Sequence, residues 1–101
     1  MISWAYIFHA PEADPAKDRF VLERAGVRAT IVGVPNVEAA TKVATELVAA
    51  GAKSIELCGA FGIRGVERVL NAVGGRAAVS GVMFPSESVT KVVEAFGLGK
   101  P

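Results

Sequence analysis

The sequence predicts an α/β domain in which four strands alternate with four helices. Glycine and proline divide the 101 residues into similar units, each with an apolar run followed by an amphipathic segment. Such alternation is typical of a parallel sheet whose strands are joined by right-handed crossovers. A chain of 101 residues has room for one domain, so residues 1–101 are predicted to fold as a single α/β unit.

The first unit begins with a continuous aromatic and branched run at residues 4–8, which favours a strand. Pro11 ends that run. Asp14 followed by Pro15 resembles a helix N-cap with proline at the first helical position. These signals predict a helix over residues 14–25, which Gly26 ends.

The remaining units repeat this order. Strands are predicted at residues 28–34, 53–58 and 77–84. A helix is predicted after Asn36, whose side chain suits an N-cap, and it ends at Gly51. The next helix runs from about Ile63 to the glycines at 74 and 75, and the last has an apolar stripe that ends at Phe96. Residues 99–101 are predicted to be a frayed tail.

Two architectures fit this four-stranded parallel sheet. One is a small doubly wound sandwich with helices on both faces. The other is a half-barrel with strand order 1-2-3-4 and all helices outside, completed by dimerisation because its inner face would otherwise be exposed. Both leave two open sheet edges, so we expect a homodimer.

Composition excludes several classes of protein. A net charge of +1 argues against nucleic-acid or membrane partners recruited by bulk charge. One cysteine excludes an internal disulfide framework, and one cysteine with one histidine argues against a structural zinc site. No metal site and no cofactor motif is predicted. Because no membrane-length apolar run and no signal peptide is recognised, the expected location is the cytoplasm.

Ligands of parallel α/β folds bind at the carboxyl ends of the strands. That rule selects the segment from Cys58 to Gly62 after the third predicted strand. It also selects His9, Asn36 and Ser86, which follow the other predicted strands. His9 is the chain's one histidine and is a candidate proton carrier, or a strand-end residue bonded to a loop.

Glu56 lies inside an apolar strand segment, Ile55-Glu56-Leu57-Cys58. A carboxylate in a buried strand needs a partner or a function. Glu56 is therefore a candidate general base or ligand anchor. The structural alternative is an edge strand with one polar face, or a salt bridge to Arg28 or Arg76.

Cys58 and Arg64 have the Cys-x5-Arg spacing of thiol phosphatases, between a predicted strand and a predicted helix. In those enzymes the loop amides and the arginine hold an oxyanion beside the thiolate. The alternative is that Cys58 is a buried packing residue. Gly59 and Gly62 would allow close backbone approach to an anion, or simply a tight turn into the helix.

The segment Ile55-Glu56-Leu57-Cys58-Gly59-Ala60-Phe61-Gly62, with the aromatic strand at residues 4–8, resembles a family of short bacterial proteins known only as a domain of unknown function. The Glu-Leu-Cys-Gly-x-Phe-Gly stretch carries most of this resemblance. The resemblance implies no activity, but it points to Glu56, Cys58, Gly59, Phe61 and Gly62 as the residues to test.

Three functions follow as hypotheses. The first is binding of a small polar or anionic metabolite at the strand carboxyl ends, with acid–base catalysis by Glu56 and with His9 and Cys58 at the rim. The second is a thiol-dependent phosphatase-like enzyme that uses Cys58 and Arg64. The third is a non-enzymatic assembly or regulatory module. The sequence leaves open whether the protein is an enzyme.

Overall fold

A computed structural model describes residues 1–97, which form a five-stranded mixed sheet with three α-helices. The elements in chain order are β1 (Ile2–His9), β2 (Arg19–Arg24), β3 (Val27–Val34), α1 (Val37–Ala49), β4 (Ser54–Leu57), α2 (Gly62–Val73), β5 (Ala78–Gly81) and α3 (Val89–Phe96). Short 3-10 turns at Gly59–Phe61 and Ser86–Ser88 precede α2 and α3. The predicted tail at 99–101 lies outside the described residues.

The strands lie in the order β2-β3-β1-β4-β5. β2 is antiparallel to β3, and the other neighbours are parallel. The predicted four-stranded, all-parallel sheet and the order 1-2-3-4 are therefore wrong, although the α/β class is confirmed. The prediction of four strand–helix units fails at its first unit.

The predicted helix over residues 14–25 is wrong, because its second half is strand β2. Asp14 does begin a helical turn, in which its side chain accepts a hydrogen bond from the Ala16 amide at 3.0 Å, but the turn is not continued. Ala25 and Gly26 both have positive φ, at 54° and 80°. This conformation is typical of the two-residue turns that join antiparallel strands, so Gly26 completes a hairpin and does not end a helix.

The later elements match their predictions more closely. Asn36 caps α1, accepting a hydrogen bond from the Ala39 amide at 2.9 Å. β5 ends at Gly81, three residues before the predicted end, because its neighbour β4 ends at Leu57. The Val82 amide still reaches the Leu57 carbonyl oxygen at 2.8 Å, and beyond it the chain leaves the sheet.

Helices α1 and α2 pack together on one face of the sheet and enclose the core. β1, β3 and β4 contribute side chains such as Ile7, Val32 and Ile55, all with no exposed surface. The helices contribute Ala44 and Val69, also fully buried. An ion pair between Arg68 of α2 and Glu38 of α1, 3.1 Å apart, joins the helices at the surface.

The opposite face of the sheet carries no helix in residues 1–97, and we call it the open face. In the sheet, β3 lies on one side of β1, whereas β4 and β5 lie on the other side. The connection from β1 to β3 therefore runs in the opposite direction to the connections from β3 to β4 and from β4 to β5. With right-handed crossovers, a helix between β1 and β3 would lie opposite α1 and α2. Strand β2 replaces that helix, so the face stays uncovered. The predicted doubly wound sandwich is therefore wrong.

The open face has an apolar half and a small, polar half. The apolar half consists of Ile2, Trp4, Tyr6, Phe8, Phe20, Leu22, Val27, Ala29, Ile31 and Gly33, with Arg24 at its margin. The polar half, on β4 and β5, consists of Ser54, Glu56, Ala78 and Ser80. The apolar half therefore spans β2, β3 and β1, with β1 in the centre of the sheet.

Candidate functional site

The carboxyl ends of β1 and β4 bring His9, Cys58 and Phe61 together. The His9 amide donates a hydrogen bond to Cys58 Sγ at 3.2 Å. The rings of His9 and Phe61 meet edge to face, with centroids 6.2 Å apart. His9 is exposed and Cys58 is half-buried, so both side chains reach the rim of the sheet as predicted.

A cleft of about 350 Å³ opens beside this group, where β4 and β5 end and α2 begins. The lining residues are Cys58, Gly59, Gly62, Ile63, Val66, Gly81, Val82, Met83 and Phe84. Carbon atoms make up most of this surface, because the lining residues other than Cys58 are glycines or have apolar side chains. The site is therefore an apolar cleft at the predicted edge of the sheet.

Glycines line two walls of the cleft, and at Gly81 the absence of a side chain allows the walls to approach closely. A Cβ on Gly81 would lie 2.6 Å from Cγ2 of Val66 on α2. A Cβ on Gly59 would lie 3.4 Å from the Val82 carbonyl oxygen and 3.5 Å from the Phe84 ring. A side chain at Gly81 would therefore press against Val66, whereas a Cβ at Gly59 would make ordinary van der Waals contact.

Glu56 is exposed, and the prediction that it lies in a buried environment is wrong. β4 is covered on one face only, and successive side chains of a strand point to opposite faces. Ile55 and Leu57 therefore enter the core, while Glu56 lies on the open face. Glu56 is not among the residues that line the cleft.

Tyr6 is a neighbour of Glu56 that the sequence did not identify as functional. It lies directly across from Glu56 on β1. Burial raises the pKa of Tyr6, and the negative charges of Cys58 and Glu56 raise it further. The phenol therefore stays protonated at neutral pH and can donate a hydrogen bond on the open face.

We expect Glu56→Gln to lower the Tyr6 pKa, because the substitution removes a nearby negative charge. The pKa should remain above that of free tyrosine, since burial is the larger cause of the shift. Absorbance at 295 nm can follow this titration, because Tyr6 is the one tyrosine of the chain. Glu67→Gln, on exposed α2 surface, is the control and should leave the titration unchanged. An unchanged curve for Glu56→Gln would contradict the proximity of the two groups.

The segment from Cys58 to Arg64 does not form the oxyanion loop that the phosphatase hypothesis requires. The Phe61 amide donates to the Cys58 carbonyl oxygen at 3.2 Å, and the Gly62 amide donates to the Gly59 carbonyl oxygen. These two amides are therefore occupied within the turn. Arg64 is exposed on α2, does not line the cleft and makes no ion pair within residues 1–97.

Asn36 and Ser86 lie outside the cleft. The Asn36 side chain caps α1, so its oxygen is already hydrogen-bonded. Ser86 begins the 3-10 turn before α3 and is exposed. Of the predicted ligand-binding residues, Gly59 and Gly62 line the cleft and Phe61 packs beside it against the core.

Sequence reasoning missed Ile63, Val66, Val82 and Met83, which supply most of the apolar lining. Residues 82–84 were included in the fourth predicted strand. The sequence signal is a run of three large apolar residues between Gly81 and Pro85. In the structure Met83 of this run is 78% exposed. Exposed apolar residues that lie together mark interaction or ligand-binding sites.

Residues 1–97 contain neither a metal-binding cluster nor a membrane-spanning helix. No three His, Cys, Asp or Glu residues lie close enough to hold a metal ion within this part of the chain. None of its helices has the length and apolar character needed to cross a membrane.

A family of unknown function, DUF6506, matches residues 2–97. The chain belongs to this family. DUF6506 thus includes all five strands, the cleft and the open face, and the predicted resemblance to a family of unknown function is confirmed. Comparison with curated proteins finds no match, and neither does comparison with solved structures.

Proposed function

We propose that this protein binds a small, mostly apolar organic molecule in the cleft at the carboxyl ends of β4 and β5. The observation that carries the proposal is the cleft itself. Three separate segments of the chain enclose about 350 Å³ with a largely carbon surface. Small-molecule sites are typically concave, mostly apolar and at least about 300 Å³ in volume.

The proposal keeps the predicted location and changes the predicted ligand chemistry. A polar or anionic metabolite would need several free donors in the cleft. The Phe61 and Gly62 amides are occupied within the turn, and Arg64 lies outside the lining. Burial of apolar ligand surface is favourable by about 25 cal/mol per Å² and therefore suits this lining better. Cys58, Gly59 and Gly62 remain the sequence-predicted members of the site.

Acid–base catalysis by Glu56 is not part of this proposal, because the carboxylate lies on the open face and not in the cleft lining. Nothing in the cleft supplies a second titratable group beside Cys58. The proposal is therefore one of binding.

A nuclear magnetic resonance titration with three probes tests the proposal. Benzoate and benzyl alcohol share an aromatic ring and differ in charge, while inorganic phosphate provides charge alone. We expect both aromatic probes to shift the amide signals of Gly59, Gly62, Val82 and Met83, and phosphate to shift none of them. Phosphate shifts at Gly59 and Gly62 without aromatic shifts would overturn the proposal in favour of an anion site.

Two exposed lining residues allow a matched test of the contacts. Ile63→Ser and Met83→Ser are each expected to weaken benzyl alcohol binding about fivefold, because each removes apolar contact at the cleft. Both side chains are 78% exposed, so folding should tolerate the changes. Leu70→Ser is the control, since Leu70 lies on the same helix outside the lining. Equal affinity in all three variants would refute the assignment of the cleft.

A further inference from the structure

We infer that the open face of the sheet is the docking surface for a second copy of this chain, which packs its own open face against it. The inference does not depend on the cleft ligand, because the cleft lies at the carboxyl edge, where α2 begins. Sheets commonly pack face to face about 10 Å apart, with strand directions within about 30° of each other. The open face has the composition of such a packed surface.

The apolar half of the open face is a continuous aromatic and aliphatic surface, in which Ile2, Phe20 and Leu22 are exposed and the other side chains that the central strand places there are half-buried. Trp4, Tyr6 and Phe8 project from the central strand β1 onto this face. Phe20 and Leu22 extend it to the β2 edge, where they are 58% and 45% exposed. A contiguous aromatic and aliphatic patch of this kind marks an interaction site on a protein surface.

The chain exposes more surface than a compact monomer of its mass, which is consistent with an interface of the usual area. The chain exposes 6590 Å², whereas a compact monomer of its mass exposes about 5,400 Å². The excess of the 6590 Å² over this value is about 1,200 Å², which is more than the roughly 800 Å² that each partner loses in a typical stable complex. The radius of gyration, 14.2 Å, likewise exceeds the roughly 12.7 Å of a compact domain of this length. Helix α3, with no buried residue, contributes to this excess.

Charge favours a second copy over a strongly charged partner. Arg24 is the one charged residue of the apolar half, and it lies at the margin. The polar half carries Glu56 alone. With a net charge of +1, two copies have little long-range repulsion. A two-fold axis would place the apolar half of each copy on that of the other, which is the self-complementary arrangement of most homodimers.

The β2 edge is the competing surface between copies, because an edge strand presents unpaired backbone groups. An edge-to-edge contact would leave the exposed parts of the half-buried Trp4, Tyr6 and Ile31 side chains in solvent. Charged residues also stand on β2 itself, where Glu23 is ion-paired with Arg28 at 2.6 Å. The face-to-face arrangement would bury more exposed apolar surface than the edge-to-edge contact.

Sedimentation equilibrium of the whole protein, combined with two adjacent substitutions on β2, tests the inference. The wild type is expected to have twice the chain mass of 10.5 kDa at micromolar concentrations. Leu22→Glu places a charge on the open face and should weaken dimerisation at least about tenfold. Val21→Glu is the control: Val21 is similarly exposed, at 47%, but projects to the other face of the same strand.

Trp4, the one tryptophan of the chain, provides an independent readout on the open face. Its emission should shift to longer wavelength when the wild type is diluted and in Leu22→Glu, but not in Val21→Glu. Far-ultraviolet circular dichroism confirms that each variant is folded. A monomeric wild type at 100 μM would overturn the inference, and so would equal weakening by both substitutions, which indicates an edge contact. Dissociation by Phe96→Glu alone would assign the contact to α3 and would also overturn it.

Discussion

Ile7→Ala is expected to lower the free energy of unfolding by about 3 kcal/mol, because it removes three carbon atoms from a fully buried site. Ile7 lies on the central strand β1, has no exposed surface and faces α1 and α2. A domain of this size is stable by only about 5–15 kcal/mol. The substitution should therefore remove a large fraction of the total stability.

Ile31→Ala is the matched control for this prediction. Ile31 is half-buried on the open face of the neighbouring strand β3, so its truncation should cost about 1 kcal/mol or less in a monomer. Urea unfolding in the Leu22→Glu background measures both costs without a contribution from association. Equal costs would mean that both faces of the sheet are covered, in contradiction to the one-sided core.

Gly65→Ala has two opposing effects, and we expect the destabilising one to dominate. Alanine is favoured over glycine within a helix by about 1 kcal/mol. Gly65 is buried, however, and its added Cβ would lie 2.8 Å from Cβ of Phe61. Because that atom is next to the backbone, relief requires movement of the turn itself. Overpacking of this kind costs about 1–3 kcal/mol, so we expect a net loss of about 1 kcal/mol or more.

The same substitution should also disturb the rim, since Phe61 contacts the His9 ring. Urea denaturation gives the stability, and the histidine ring signals in a proton spectrum report the contact. Asn71→Ala, an exposed position on the same helix, is the control and should be neutral or slightly stabilising. A gain in stability for Gly65→Ala would show that helix propensity outweighs the contact with Phe61.

Local signals in the sequence predicted the second half of the fold well. Asn36 predicted the start of α1 because an N-cap acts through its own side chain and the next few amides. Gly74 and Gly97 likewise end α2 and α3 in the left-handed conformation. These signals depend on neighbouring residues and not on the tertiary structure.

The first unit failed because its signals are ambiguous. Asp14-Pro15 and Gly26 suit the two ends of a helix, but Ala25-Gly26 suits a hairpin turn equally well. Pairing with β3 decides between them, since Phe20 and Leu22 lie opposite Ile31 and Ala29. Such pairing is a long-range property that a local pattern does not contain, and propensity is a weak prior beside it.

The candidate site was located through topology and not through its chemistry. The carboxyl-end rule selected Cys58, Gly59 and Gly62, and all three line the cleft. The burial of Glu56 was predicted wrongly because it depends on whether helices cover one face of the sheet or both. The sequence pattern did not show that strand β2 takes the place of a helix between β1 and β3, which leaves one face without helices in residues 1–97.

Cross-strand nuclear Overhauser contacts in residues 14–31 test most directly whether β2 replaces a helix and leaves one sheet face open. We expect contacts between Leu22 and Ala29 and between Phe20 and Ile31, with extended-chain couplings over residues 19–24. Successive amide–amide contacts through residues 15–25 would show a helix instead. In that case the open face would be covered, and the inferred docking of a second copy would be lost with it.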